Sequence, residues 1–206
     1  MISIKRVFAV AAFLGLLALV PAALGAKPVA QTLNPPPAAF YTCKPNGNGT
    51  ICHGSRTFAV DPYDTEIVCG SGPSAFDIWD QGIAVDQVAT RWYDASGNLV
   101  RREIHEDWRP GQFSNPLTAA VVPYRQTSNI VDVLAVPGDF GSATETQTGQ
   151  NNFTVRGHGI VLHNSGRVVT APDGTIEFSS GKQNIADYFD NGNTAVLDEL
   201  CSVLGG

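Results

Sequence analysis

The chain has 206 residues, with 13 Lys and Arg against 19 Asp and Glu, which gives a formal net charge of −6 at pH 7. This length fits one domain with a hydrophobic core of its own. An acidic chain without a basic cluster repels phosphate groups, so neither nucleic acid nor an anionic lipid surface is expected as a partner.

Residues 1–26 have the layout of a secretory signal peptide, with basic residues at positions 5 and 6, an apolar run over 7–20 and small residues before position 27. The run is shorter than the roughly 20 residues that cross a bilayer. We therefore expect cleavage and secretion rather than an uncleaved membrane anchor. After residue 26 no apolar stretch is long enough to span a membrane.

Residues 27–39 are predicted as a proline-rich linker, because three successive prolines at 35–37 lack amide hydrogens and favour extended geometry. Residues 40–206 are then expected to form a single β-rich domain. Gly, Pro, Asn and Asp interrupt this part of the chain roughly every 8–12 residues, and the runs between them are rich in β-branched and aromatic residues.

The first predicted hairpin pairs Val85–Tyr93 with Leu99–Trp108 across a turn that contains Gly97 and Asn98. Alternation predicts an inward face on each strand, and only Arg102 departs from its apolar pattern. An edge position or a β-bulge that shifts the parity would explain this arginine. The predicted inward residues are Val88, Thr90 and Trp92 on one strand and Val100, Ile104 and Trp108 on the other.

A second hairpin is predicted between Arg167–Ala171 and Thr175–Ser179, because Pro172-Asp173-Gly174 suits a tight turn. Two polar segments, 126–129 and 163–166, are predicted as breaks between strands, and Phe153–Leu162 as one strand. Only the C-terminus is predicted as a helix, with Asn193 or Thr194 as its N-cap and Gly205 at its end. Its apolar stripe is Val196, Leu197, Leu200, Cys201 and Leu204.

The four cysteines are predicted to form two disulfides in an oxidising compartment. Cys43 and Cys52 bracket a loop with two Gly and two Asn that can fold back on itself, so we pair them, which leaves Cys69 with Cys201. The connectivities 43–69 with 52–201 and 43–201 with 52–69 remain open. The cysteines lack C-x2-C spacing and the histidines lack ligand-like spacing, so no metal site is expected.

The densest polar cluster, Arg101, Glu103, His105 and Asp107, lies on one face of a predicted strand. Glu103 and His105 are the candidates for general acid and base chemistry. The same pattern is typical of the solvated face of an antiparallel sheet with cross-strand ion pairs. No G-x-S-x-G motif and no phosphate-binding loop is found, so no other catalytic residue and no cofactor is predicted.

A second acidic region places Asp77, Asp80 and Asp86 around Trp79. Asp77 and Trp79 share a strand face, an arrangement that resembles a carbohydrate-binding pair of aromatic platform and acceptor. The exterior of an ordinary hairpin explains the same pattern.

Several short motifs resemble a loose group of secreted actinomycete proteins. They are Cys69-Gly70 near the end of an early strand, Gly157-His158-Gly159, the late Asp173-Gly174 hairpin and the terminal Cys201-Ser-Val-Leu204. The resemblance covers about Cys69 to Leu204, and the Cys43–Cys52 loop departs from it. It implies an antiparallel β-barrel of the lipocalin or allene-oxide-cyclase type, and it transfers no catalytic residues.

We therefore expect a mainly β protein, an antiparallel β-barrel of about 8–10 strands with a short C-terminal helix, with a two-sheet β-sandwich as the alternative. The leading function is a non-catalytic binding or surface-interaction protein, with a small apolar ligand if the barrel has an open lumen. The alternatives are a barrel-type cyclase or isomerase that uses Glu103 and His105, and a structural or host-contact protein.

Overall fold

The computed structural model describes residues 32–81 and 83–205. The predicted signal peptide and residues 27–31 of the predicted linker lie outside the described residues. The described part is mainly β, with short helices close to the C-terminus. The strands are β1 (Tyr41–Asn46), β2 (Gly49–Val60), β3 (Tyr63–Cys69), β4 (Phe76–Gln81), β5 (Ile83–Tyr93), β6 (Leu99–Ser114), β7 (Val121–Leu134), β8 (Ala143–Val155), β9 (Gly159–Thr170) and β10 (Ile176–Gln183); the α-helices are α1 (Asn184–Asn191) and α2 (Asp198–Gly205).

All ten strands belong to one antiparallel sheet in the order β1-β2-β5-β6-β7-β8-β9-β10. The long strand β6 pairs with β5 over its first part and with β4 at its end. Strand β3 then pairs with β4. Consecutive strands thus lie side by side over most of the sheet, as expected for a chain of hairpins.

The sheet is open, because β1 and β10 are its two ends and no ladder between described strands joins them. The expected closed barrel is therefore not formed, and the single sheet also differs from the alternative sandwich. Helix α2 contacts β3, β7 and β9. Since β3 and β9 are far apart in the pairing order, the sheet must curve around the helix, and the C-terminal segment occupies part of its concave side.

The main core lies on the concave face of the sheet, which is the face that contacts α2. It combines aromatic rings of β6, β7 and β8 with leucines of the C-terminal segment. The rings of Phe113, Tyr124 and Phe153 have centroids 4.5–5.5 Å apart in tilted and edge-to-face arrangements. Leu197, Leu200 and Leu204 are fully buried against them, so the predicted helical stripe is the part of the helix that packs.

Two disulfides cross-link the described part of the chain. Cys43–Cys52 joins directly opposed residues of β1 and β2. Cys69–Cys201 joins the end of β3 to α2 across 132 residues. These are the two pairs that the sequence analysis favours, and each lies in or beside a buried apolar cluster.

Residues 32–36 of the predicted linker lie against the hairpin of β5 and β6. The Asn34 N–H donates to Gly97 O at 2.9 Å, and the Leu99 N–H donates to Asn34 O at 2.8 Å. The Tyr93 hydroxyl donates to Pro35 O at 2.9 Å. This part of the segment therefore contacts the domain through its backbone.

The predicted hairpins β5–β6 and β9–β10 are both present, but the two polar breaks are wrong. Residues 126–129 lie within β7, and residues 163–166 lie within β9. The real turn lies inside the predicted strand Phe153–Leu162, since β8 ends at Val155 and β9 begins at Gly159. Polar side chains are tolerated inside these strands because Gln126, Ser128 and Asn164 line a cavity on the concave face.

The inward face of β5 is also opposite to the prediction. Val85 and Ala89 lie across from Trp108 and Ile104 on the concave side, and cross-strand partners share a face. Val88, predicted inward, is 40% exposed. The predicted face of β6 is correct, including the position of Arg102.

The helical prediction is incomplete. The sequence does not predict helix α1. Gly192 caps the C-terminal end of this helix: it has a φ of 65° and donates its N–H to Tyr188 O at 3.1 Å. Asn193 makes no capping bond; its side chain donates to Asp187 at 2.5 Å instead. A 3-10 turn over Thr194–Leu197 precedes α2.

Candidate functional site

A small pocket opens on the concave face where β3, β4, β6 and α1 meet, and we call it the Asp80 pocket. Its volume is about 180 Å³. Tyr63 and Phe189, which are 43% and 48% exposed, bring it to the surface. The lining residues are Tyr63, Thr65, Ile67, Asp80, Phe113, Gln126, Asn151, Ile185 and Phe189.

Asp80 is the only carboxyl group in this lining, and the phenol of Tyr63 is the only other titratable group. The residue is 3% exposed. Its Oδ2 accepts hydrogen bonds from the hydroxyls of Tyr124 at 2.7 Å and Tyr63 at 3.2 Å. Its Oδ1 is buried without a hydrogen-bond partner among the described residues.

Burial raises the pKa of Asp80, and the hydrogen bonds from Tyr124 and Tyr63 offset part of this rise, as does the nearby backbone N–H of Gln81. The same contacts act on the phenols. Burial and the neighbouring carboxylate raise the pKa of Tyr63 to about 12 and raise the pKa of Tyr124 as well. Both tyrosines therefore stay neutral donors at physiological pH.

Asn151 supplies a second buried acceptor to the same pocket. It is 8% exposed, and its Nδ2 donates to Gln126 Oε1 at 2.8 Å. Its Oδ1 has no hydrogen-bond partner in the described structure. A buried acceptor without a donor costs about 1–3 kcal/mol, so two in one pocket are unusual.

A polar cavity of about 130 Å³ adjoins the Asp80 pocket. The two share Gln126, Asn151 and Ile185 in their linings. Gly149 and Gly166, which lie directly opposite each other on β8 and β9, line this second cavity, and Gly181 of β10 is paired with Gly166. A Cβ at any of these positions would lie within 2.3 Å of a backbone oxygen of a neighbouring strand, so the glycines allow the strands to approach closely.

Charged residues also point to the concave face at the other end of the sheet. Arg102 Nε donates to Asp132 Oδ2 at 2.5 Å, and the Asp132 side chain is only 4% exposed. Burial and the Asp132 charge raise the pKa of the neighbouring Glu145, which Arg102 partly offsets. Arg91 lies over the ring of Tyr41. The pairing of Arg102 with Asp132 explains why Arg102 departs from the apolar pattern.

Glu103 and His105, the predicted acid and base, lie on the outer face. Glu103 pairs with Arg101, and both side chains are more than 40% exposed. His105 Nδ1 lies 2.8 Å from Asn129 Oδ1 on β7. None of the cavities described here is lined by either residue.

A different histidine on the outer face contacts a serine. His163 Nε2 lies 2.8 Å from Ser165 Oγ, and its Nδ1 lies 2.5 Å from Asn152 Oδ1. In the tautomer with its proton on Nδ1, the ring donates to Asn152 and accepts from Ser165. This is the order of nucleophile, base and orienting group that activates a hydroxyl. A concavity of about 530 Å³ adjoins it at Asn152.

The predicted pair of Asp77 and Trp79 lines none of the three cavities. Asp77 and Trp79 share the outer face of β4, with Trp79 37% exposed. Among residues 32–81 and 83–205, no group of three or more His, Cys, Asp or Glu is placed to hold a metal ion. No helix within this part of the chain has the length and apolar character needed to cross a membrane.

Comparison with protein-family models, with curated proteins and with solved structures finds no match for this chain. The resemblance to secreted actinomycete proteins therefore stays a prediction.

Asp80 is predicted as part of an acidic region, but the sequence does not predict Asn151, Gln126 and the tyrosines as its neighbours. The signal was present in the alternation of β7, where Tyr124 and Gln126 continue the same face as the buried Val122. A polar residue that continues an apolar face is a candidate for a pocket wall rather than a turn.

Proposed function

We propose that this protein is a secreted, non-catalytic binding protein that holds a small polar ligand in the Asp80 pocket. One observation carries the proposal: Asp80 and Asn151 line one pocket, and the Oδ1 atom of each is a buried acceptor without a donor among the described residues. Of the three buried unpartnered side-chain atoms in the described residues, the third, Arg91 Nε, lies outside this pocket.

The lining supports a ligand with hydrogen-bond donors rather than the apolar ligand that the sequence favours. An apolar molecule would leave both acceptors unsatisfied. A donor-bearing ligand would satisfy them, and a pocket of about 180 Å³ suits a molecule smaller than a typical drug. A structural or host-contact role would favour a concave face filled by side chains, so the two cavities support the binding role instead.

Export is supported by the two disulfides, since such bonds persist in oxidising compartments outside the cytosol. It also agrees with the predicted signal peptide. Mass spectrometry of the protein from culture medium should find a chain that begins near residue 27 and has no free thiol. An intact leader or four free thiols would contradict secretion.

Calorimetric titration with a panel of polyols, monosaccharides, primary amines and a fatty acid tests the binding function. We expect at least one polar member to bind and the fatty acid not to bind. Asn151→Ala should weaken that binding, whereas the matched Asn129→Ala on the outer face should not. Binding of the fatty acid alone, or no difference between the two variants, would contradict the proposal.

A second candidate function, in place of acid and base chemistry by Glu103 and His105, is favoured by the contacts of Ser165, His163 and Asn152. With a fluorophosphonate probe, the Ser165 proton would pass to His163 while Oγ bonds to phosphorus and fluoride leaves. Peptide mapping should then find the label on Ser165, and His163→Ala should abolish it. Ser180→Ala, on the same face, is the control. No label at Ser165 would remove this candidate.

A further inference from the structure

We infer that the ligand of the Asp80 pocket is a small organic cation whose primary ammonium group binds Asp80 and Asn151. This inference rests on the proposed function, and it adds the chemical class of the ligand. Its basis is the charge, the hydrogen-bonding capacity and the aromatic character of the lining.

The charge of the lining is not balanced by the protein. Asp80 is the one carboxylate among the lining residues, and no Lys, Arg or His accompanies it. Its only side-chain hydrogen-bond partners are the neutral hydroxyls of Tyr63 and Tyr124. A buried carboxylate without a cation is costly, and a cationic ligand supplies the missing charge. The contrast is Asp132 on the same face, which has Arg102 as its partner.

The hydrogen bonds match an ammonium group. Asp80 Oδ1 and Asn151 Oδ1 are both acceptors that lack donors. A primary ammonium has three N–H donors and no acceptor, so one group of this type has enough donors for both oxygens. A carboxylate or phosphate ligand would place acceptors against acceptors and negative charge against Asp80.

The walls suit the rest of such a ligand. Phe113 lines the floor, and the exposed Tyr63 and Phe189 lie at the surface end of the pocket. Aromatic faces attract cations and also pack against methylene groups. A short alkyl chain can therefore extend from the ammonium group toward solvent between these rings.

Calorimetric titration with n-butylammonium, with 1-butanol and with tetramethylammonium tests the inference. The alcohol has nearly the same shape without the charge, and the quaternary cation has the charge without N–H donors. We expect n-butylammonium to bind at least about tenfold more tightly than either, because charge-assisted hydrogen bonds contribute more than about 1.4 kcal/mol. Equal binding of the amine and the alcohol would overturn the inference.

Asp80→Asn should weaken n-butylammonium binding at least about tenfold, while Asp77→Asn on the outer face of β4 should leave it unchanged. Unchanged binding in Asp80→Asn would also overturn the inference. Circular dichroism establishes that each variant is folded. If Asp80→Asn does not fold, the pH dependence of n-butylammonium binding to the wild-type protein tests the inference instead.

In the wild-type protein, n-butylammonium affinity should fall as the pH falls through the raised pKa of Asp80, while 1-butanol binding stays constant. The titratable groups that face Asp80 are Tyr63 from β3 and Tyr124 from β7, and both are neutral over this range. The lining side chains from β6, β8 and α1 are Phe113, Asn151, Ile185 and Phe189, none of which titrates. A flat pH profile for the amine would contradict the inference.

The two proposals fail differently. If polyols or sugars bind in an Asn151-dependent manner and amines do not, the binding function stands and the cation inference is wrong. If no polar molecule binds to the pocket, both are wrong.

Discussion

Asp80 and Asp132 are two carboxylates on one face of one sheet, and their partners differ. Asp132 is bound by an arginine, whereas the side-chain partners of Asp80 are two neutral phenols. The first arrangement is complete within the protein. The second leaves one oxygen and a full charge without a partner, which is the reason to regard Asp80 as a binding residue.

The raised pKa of Asp80 makes stability depend on pH. The folded protein protonates this carboxyl at a higher pH than the unfolded chain does, so the folded state binds more protons and loses stability as the pH rises through the folded pKa. Asp80→Asn should remove this loss. Urea unfolding of wild type and variant at a series of pH values measures it.

Asp77→Asn is the control for that series, because Asp77 is exposed on the same strand. We expect it to leave the loss of stability in place. If Asp80→Asn and wild type keep a constant difference in unfolding free energy from pH 3 to pH 8, Asp80 does not titrate as described.

Two neighbouring ion pairs on β6 should contribute differently to the free energy of unfolding. Asp132→Ala leaves Arg102 on the concave face without its partner and should cost about 3 kcal/mol of unfolding free energy. Glu103→Ala removes the outer pair with Arg101, whose side chains are more than 40% exposed, and should cost less than about 1 kcal/mol. Urea unfolding measures both, and equal costs would contradict the assignment of faces.

At the scale of elements, the close approach of β9 and β10 depends on glycine. A Cβ at Gly166, where φ is +148°, would lie 1.9 Å from Ser180 O. Gly166→Ala should therefore prevent folding or strongly reduce the melting temperature. Gly174→Ala is the matched control: its φ of +86° is left-handed but a Cβ there has open space, so we expect a cost of only about 1–2 kcal/mol.

Melting temperature and soluble yield compare the two glycine variants. Similar values for both would show that the close approach of the strands is not needed for the fold.

The elements show how much the sequence predicts. Hairpins with a clear turn, such as Pro172-Asp173-Gly174, are found where they are expected, because turn chemistry is local. The errors at 126–129 and 163–166 have a common cause: Gln126, Ser128 and Asn164 face a cavity, so strands that line it lack the apolar alternation that identifies a strand. Polar residues that line a groove and polar residues in a turn look the same in sequence.

The alternation of apolar and polar residues along the strands does not determine whether the sheet closes into a barrel. The same run of hairpins can form a barrel or an open curved sheet, and the difference depends on what occupies the concave side. Here that is α2 with Leu200 and Leu204. The stripe predicts that the helix packs, but the surface it packs against involves β3, β7 and β9, which are distant in sequence.

At the scale of the whole molecule, the two disulfides should contribute unequally to stability. Cys69–Cys201 closes a loop of 132 residues and Cys43–Cys52 one of 9. In the chain-entropy model these are worth about 5 and about 3 kcal/mol. The double variant Cys69→Ala/Cys201→Ala should therefore unfold at lower urea concentration than Cys43→Ala/Cys52→Ala. The reverse order would show that α2 is held mainly by packing.

The most direct test of the binding role is a high-resolution crystal structure of the protein with n-butylammonium at saturating concentration. We predict density for the ligand in the Asp80 pocket, with its nitrogen about 3 Å from both Asp80 Oδ1 and Asn151 Oδ1. Ordered waters on both oxygens, with the pocket otherwise unchanged and the amine absent or bound elsewhere, would contradict it.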